Sequence, residues 1–126
     1  MTSTLPRPGQ PVRGSKSGKP IMALFDLLGR TWALGALWQL SNDAMTFREL
    51  QAACEGVSPT VLNRRLKELT ASGLVERAER GYRLSDAGRE LFGHLQPLGG
   101  WSEKWAARMA NEDGGELSTG GQGETP

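Results

Sequence analysis

The sequence is poor in the residues on which most enzymatic and metal chemistry depends. It holds one cysteine, Cys54, and one histidine, His94, in 126 residues. A single thiol excludes an intramolecular disulfide and points to a reducing compartment. His94 has no Cys or His near it at ligand spacing, so no metal site is expected. No pair of carboxylates stands at a catalytic spacing and no glycine-rich loop has a phosphate-binding pattern. No enzyme and no cofactor are therefore expected. Apolar runs fall short of the ~20 residues of a membrane span. The stretch from Ile21 to Leu28 is broken by Asp26 and has no cleavage signature, so it is not read as a signal peptide. The expected location is cytoplasmic.

Charge of one sign is missing only locally. The formal net charge is +1, yet the N-terminal arm carries Arg7, Arg13, Lys16 and Lys19 without an acid. The C-terminal tail carries Glu112, Asp113, Glu116 and Glu124 without a base. Both ends are rich in Gly, Ser, Thr or Pro and poor in apolar residues. Composition therefore predicts a disordered basic arm over 1–19, a folded domain over 20–110 and a disordered acidic tail over 111–126. About ninety residues remain to build a core.

Within those residues apolar spacing predicts mostly helices. Pro20 suits a first helical position, with Ile21, Leu24, Phe25 and Leu28 on one face before Gly29. Thr31 is a candidate cap for a second helix, apolar almost all round and so expected at the centre with Trp32 and Trp38. Met45-Thr46 reads as a very short strand. Thr46 with Glu49 makes a capping box for a third helix, Phe47 to Cys54, closed by Glu55-Gly56. Ser58-Pro59 opens a fourth helix that runs to Ser72-Gly73. The period then alternates, giving a hairpin of Leu74–Arg77 and Tyr82–Leu84. Ser85-Asp86 starts a fifth helix. Pro97, Gly99 and Gly100 are expected to interrupt it before a last segment with Trp101 and Trp105.

Two helices across a short Gly-containing turn make a helix-turn-helix, and a hairpin straight after it makes a wing. The predicted class is thus mainly α with a small β-hairpin wing, a winged helix-turn-helix. On the fourth helix Leu62, Leu66 and Leu69 face inward, leaving Thr60, Asn63, Arg64 and Lys67 outward. A basic helix face alone is usually just solvated. Here Arg77, Arg80 and Arg83 of the hairpin add cations beside it, and Ser58 opens a helix N-terminus suited to phosphate. The expected partner is double-stranded DNA.

The runs "PIMALFDLLGRTWALGALWQL", "MTFRELQAACEGVSPTVLNRRLKELTASGLVER" and "YRLSDAGREL" resemble the HxlR-type winged helix regulators, relatives of the MarR group. The resemblance spans about Lys19 to Arg108. It implies a dimeric transcription regulator whose recognition helix enters the major groove, with Ser58, Thr60, Asn63, Arg64 and Lys67 at the DNA. It also implies dimerisation through the first and last helices. Lys19 stands where many members carry a sensing cysteine, and the wing lacks a Pro-rich tip between Arg77 and Tyr82.

The apolar residues at the two ends of the domain agree with a homodimer. Ile21 and Phe25 lie at one end; Leu91, Leu95, Leu98, Trp101 and Trp105 lie at the other, more than a small domain covers alone. An aromatic dimer core is the simpler reading of the tryptophan pair, with a small-molecule effector pocket as the second. Cys54 is expected to be half-buried and structural. The rival function is a winged helix that binds a protein surface without sequence-specific DNA recognition.

Overall fold

The computed structural model describes residues 5–118. Six helices and one hairpin follow in the order α1 (Pro20–Leu28), α2 (Ala33–Gln39), α3 (Phe47–Ala53), α4 (Pro59–Ala71), β1 (Val75–Ala78), β2 (Gly81–Leu84), α5 (Asp86–Leu95) and α6 (Pro97–Ser118). Local chemistry sets most boundaries. Thr46 Oγ1 accepts from the Glu49 N–H and the Glu49 carboxylate accepts from the Thr46 N–H, completing the capping box. Ser58 caps α4 by accepting from the Val61 N–H at 3.1 Å. Ser85 caps α5 by accepting from the Gly88 N–H at 3.0 Å.

Both helices of the helix-turn-helix end in the same left-handed closure. After α4, Gly73 has φ +84; its N–H reaches the Thr70 carbonyl while Leu74 N–H reaches Leu69. After α3, Glu55 takes that role at φ 59, followed by Gly56 at φ 73. The sequence marks Gly56 for the left-handed turn; two successive residues take it. Glu55 is unusual there because its Cβ crowds the neighbouring backbone.

The start of α2 differs from expectation. Thr31 does not cap it; Trp32 stands at the cap position with φ 66 and no side-chain cap bond. A Cβ at Gly35 would run into the Trp32 ring, so the glycine makes room for it. Nor is α2 buried all round. Ala33, Ala36 and Leu37 are buried, whereas Leu34 and Trp38 are exposed. Trp38 and Phe92 make a T-shaped contact with ring centroids 5.1 Å apart. Its ring therefore lies at the rim of the core, not inside it.

The core joins Leu27 and Leu28 of α1, Leu37 of α2, Leu50 of α3, the three inward leucines of α4, and Val75 and Leu84 of the hairpin. Fully burying each such side chain stabilises the fold by about 1.5–3 kcal/mol. Cys54 belongs to this core and is fully buried, where half-burial was expected. Burial, with Glu55 beside it, pushes its thiol pKa up. The hairpin is antiparallel with Val75 opposite Leu84 and Ala78 opposite Gly81. Met45 and Tyr82 exchange two backbone hydrogen bonds of 2.9 and 2.8 Å. The short strand expected at Met45-Thr46 is thus a single bridge.

Residues 5–19 are not the free arm that composition suggested. Leu5 packs on the core and Pro6 is buried. Val12 and Ser15 pair across a turn, and Gly9 N–H donates to the Gly18 carbonyl. Arg13 fastens the segment to α1: its backbone N–H and its Nε reach the Asp26 carboxylate at 3.2 and 3.1 Å. A few apolar anchors and one ion pair tie down a stretch that lacks periodicity. Burial alone raises the Asp26 pKa; the Arg13 hydrogen bonds and the charges of Arg30 and Arg13 outweigh it and leave the carboxyl below its ordinary value.

A pH dependence follows. The folded carboxyl holds its proton less tightly than the unfolded one, whose value is near 3.8. Its contribution is complete above that value and is lost as pH falls through the lower folded pKa. Urea unfolding of Asp26→Asn against the parent should show a gap that is full at neutral pH and narrows below about pH 4. A gap of constant size would contradict the assignment.

The chain divides into two compact units at Phe92 and Gly93. In the second, Pro97 opens α6, and Gly99 and Gly100 lie inside that helix, where an interruption was expected. The α6 backbone continues to Ser118, so residues 111–118 of the expected tail are helical; the rest of that tail lies outside the described residues. No single helix among the described residues is long and apolar enough to cross a membrane.

Candidate nucleic-acid interface

α4 is held by its inward leucines, all at most 1% exposed. That fixes what faces out. Thr60, Asn63, Arg64 and Lys67 are exposed, and among the described residues none of their side chains has a hydrogen-bond or ion-pair partner. Glu68, the one acid of the helix, is turned aside. Its carboxylate accepts from Arg30 at 2.8 Å and from Arg65 at 3.1 Å, and all three side chains are about a tenth exposed. Arg65 also donates to the Thr31 carbonyl at 2.7 Å. The network removes the negative charge from the outward face and locks the start of α2 to α4. Sequence reasoning missed it; the Arg65–Glu68 spacing of three was a visible signal, whereas nothing local pointed to Arg30.

The hairpin cations expected beside α4 have partners within the protein. Arg80 at the tip pairs with Glu49 at 2.8 Å, and Arg83 pairs with Glu76 at 2.7 Å. Arg77 donates to the Tyr82 hydroxyl at 2.7 Å and lies over its ring, 4.8 Å from the centroid. Exposed pairs of this kind are worth at most about 1 kcal/mol, so a phosphate can compete for these cations. Asn63, Lys67, Thr70 and Ala71 of α4 share a cleft of about 470 Å³ with Arg77 and Tyr82. The structure therefore brings Arg77 beside the exposed face of α4 and engages Arg80 and Arg83 in pairs with acids. Ser58 lends its oxygen lone pair to the cap, leaving its hydroxyl hydrogen for an anion.

This arrangement coincides with a known sequence family. The HxlR-like helix-turn-helix family model matches residues 27–110. The chain belongs to that family. Its relatives include YvaP of Bacillus subtilis (strain 168), an uncharacterized HTH-type transcriptional regulator, 33% identical over 87 residues that make up 64% of this chain and 81% of the relative. Among solved structures, quinone-bound YodB from B. subtilis aligns with a TM-score of 0.61 and 28% identity, covering 67% of this chain and 96% of that one. A protein from Thermoplasma volcanium GSS1, described as a possible HxlR family transcriptional factor, aligns at 0.62 with 29% identity, covering 69% and 84%. The winged helix-turn-helix architecture and a role in DNA-binding transcription regulation are thereby those of an HxlR-type protein.

The residues expected at a dimer contact fall into separate places. On α1, Ile21 and Phe25 are exposed at 47% and 58%. Leu91 packs with Phe92 against the core of the first unit, which commits part of its surface internally. In the second unit Leu95 is half-buried, while Leu98, Trp101 and Trp105 are exposed at 53%, 53% and 46%. The Trp101 and Trp105 rings stack with centroids 6.1 Å apart, and Arg108 lies over Trp101.

Proposed function

We propose that this chain regulates transcription as a homodimer on a pseudo-palindromic operator, with α4 reading base edges in the major groove. The observation that carries the reading is the outward face of α4. An amide, a guanidinium, an ammonium and a hydroxyl stand exposed in successive turns without internal partners among the described residues, while the acid of the helix is paired with Arg30 and Arg65. Asn suits adenine and Arg suits guanine. Two copies would present two such helices about 34–36 Å apart, one turn of duplex.

Affinity for a selected duplex should fall steeply with salt and exceed that for competitor DNA by about 10³-fold or more. Equal, weak affinity for all sequences would favour the protein-binding alternative.

The dimer is supported by the amount of exposed aromatic surface on α6. Two tryptophans and a leucine, each about half exposed, make an apolar stripe that water does not favour. Sedimentation should show the parent as a dimer at micromolar concentration, and Trp101→Ala/Trp105→Ala as a monomer that loses operator affinity. A monomeric parent that still binds its site tightly would contradict the dimer. A small-molecule effector is part of the proposal through YodB, which is quinone-bound in one solved structure. The raised pKa and burial of Cys54 make an exposed thiolate at that residue the wrong receptor here.

A further inference from the structure

We propose that the N-terminal segment 5–19 is a second wing, gripping the phosphate backbone on the flank of α4 opposite the hairpin, with Lys16 as its contact group. The inference rests on the DNA-reading role proposed for α4. Two clefts border that helix on different sides. Asn63, Lys67, Thr70 and Ala71 line the one shared with the hairpin. Arg64, Arg65 and Glu68 line the other, of about 850 Å³, whose far wall is Leu5, Pro6, Pro11, Val12, Arg13 and Lys16. At 100° per residue these two sets fall to either side of the outward direction. A duplex seated on α4 has a phosphate strand along each edge of its major groove, so both flanks meet phosphate.

The second flank is electropositive for a definite reason. Its two carboxylates, Asp26 and Glu68, are already engaged: Asp26 by Arg13 and Arg30, Glu68 by Arg30 and Arg65. Lys16 and Arg64 remain, exposed and without an ionic partner among the described residues. Arg64 is the base-reading group proposed above, which leaves Lys16 for the backbone. The segment is also built to hold its place. The Arg13 clamp on Asp26, the Val12–Ser15 pairing and buried Pro6 fix a loop that would otherwise lose more entropy on binding.

The test measures binding against salt concentration for the parent, Lys16→Ala and Lys16→Arg, on a duplex selected by the parent from a randomised pool. Removing one phosphate contact reduces the slope of log affinity against log salt by about 0.9, and lowers affinity roughly eightfold at 0.1 M salt, per protomer. Lys16→Ala should show that drop with base preference unchanged, and Lys16→Arg should retain the parent slope. Thermal melting checks that the exposed substitution leaves the fold intact. A parent slope in Lys16→Ala, with sequence preference also intact, would overturn the second wing and leave the α4 reading standing. A parent that selects no sequence at all would overturn both.

Discussion

Replacing Asn63 and Arg64 together by alanine is expected to abolish sequence preference while leaving a salt-dependent affinity for any duplex. Both side chains are exposed on α4 and neither supports the fold through a hydrogen bond or ion pair among the described residues. Removing a bidentate hydrogen-bond pair to one base costs about 1–3 kcal/mol of discrimination. Selection from a randomised pool should therefore return the operator with the parent and no consensus with the variant. Lys67→Ala makes the contrast, because removing a phosphate interaction weakens all sequences alike. Unchanged preference in the Asn63/Arg64 variant would take α4 out of the reading role.

The second large effect is on stability. Glu68→Ala removes the carboxylate shared by two guanidinium groups that are each about a tenth exposed. Breaking a buried pair by removing one partner costs about 3–5 kcal/mol. Arg30 keeps Asp26, and Arg65 keeps the Thr31 carbonyl, which places the expected loss near the lower end, about 3 kcal/mol. In a domain of this size that lowers Tm by roughly 12–24 °C. Arg80→Ala removes a pair of similar length, 2.8 Å, from a surface where the partners are 60% and 49% exposed. Its cost should stay below about 1 kcal/mol. Equal losses in the two variants would show that burial is not what gives the Glu68 network its weight.

These networks mark where sequence reasoning succeeds and where it stops. The caps at Thr46, Ser58 and Ser85 were legible because a cap is a contact between residues three apart. The inward leucines and outward polar groups of α4 were legible because helical period alone separates them. The Arg30–Glu68 contact spans 38 positions and has no local signature. The N-terminal segment was misread for a related reason. Its order comes from a clamp to Asp26, thirteen residues from Arg13, and composition counts residues without seeing such partners. Wing cations were legible as a cluster, but their acids, Glu49 and Glu76, lie across a tertiary contact and across the hairpin. Trp38 shows that apolar character does not by itself mean burial, since a ring at a rim still meets solvent on one face.

The junction between the hairpin and α5 sets how the wing can move. Ser85 N–H donates to the Leu74 carbonyl and its hydroxyl donates to the Gly73 carbonyl, while Gly88 comes so close that any Cβ there would fall on the Leu74 oxygen. The foot of the wing and the first turn of α5 are in effect one rigid bracket, with no slack between them. A tilt of the hairpin would therefore load the first turn of α5 through these contacts. Conversely, a shift of that turn of α5 would be felt at the foot of the wing through the same contacts.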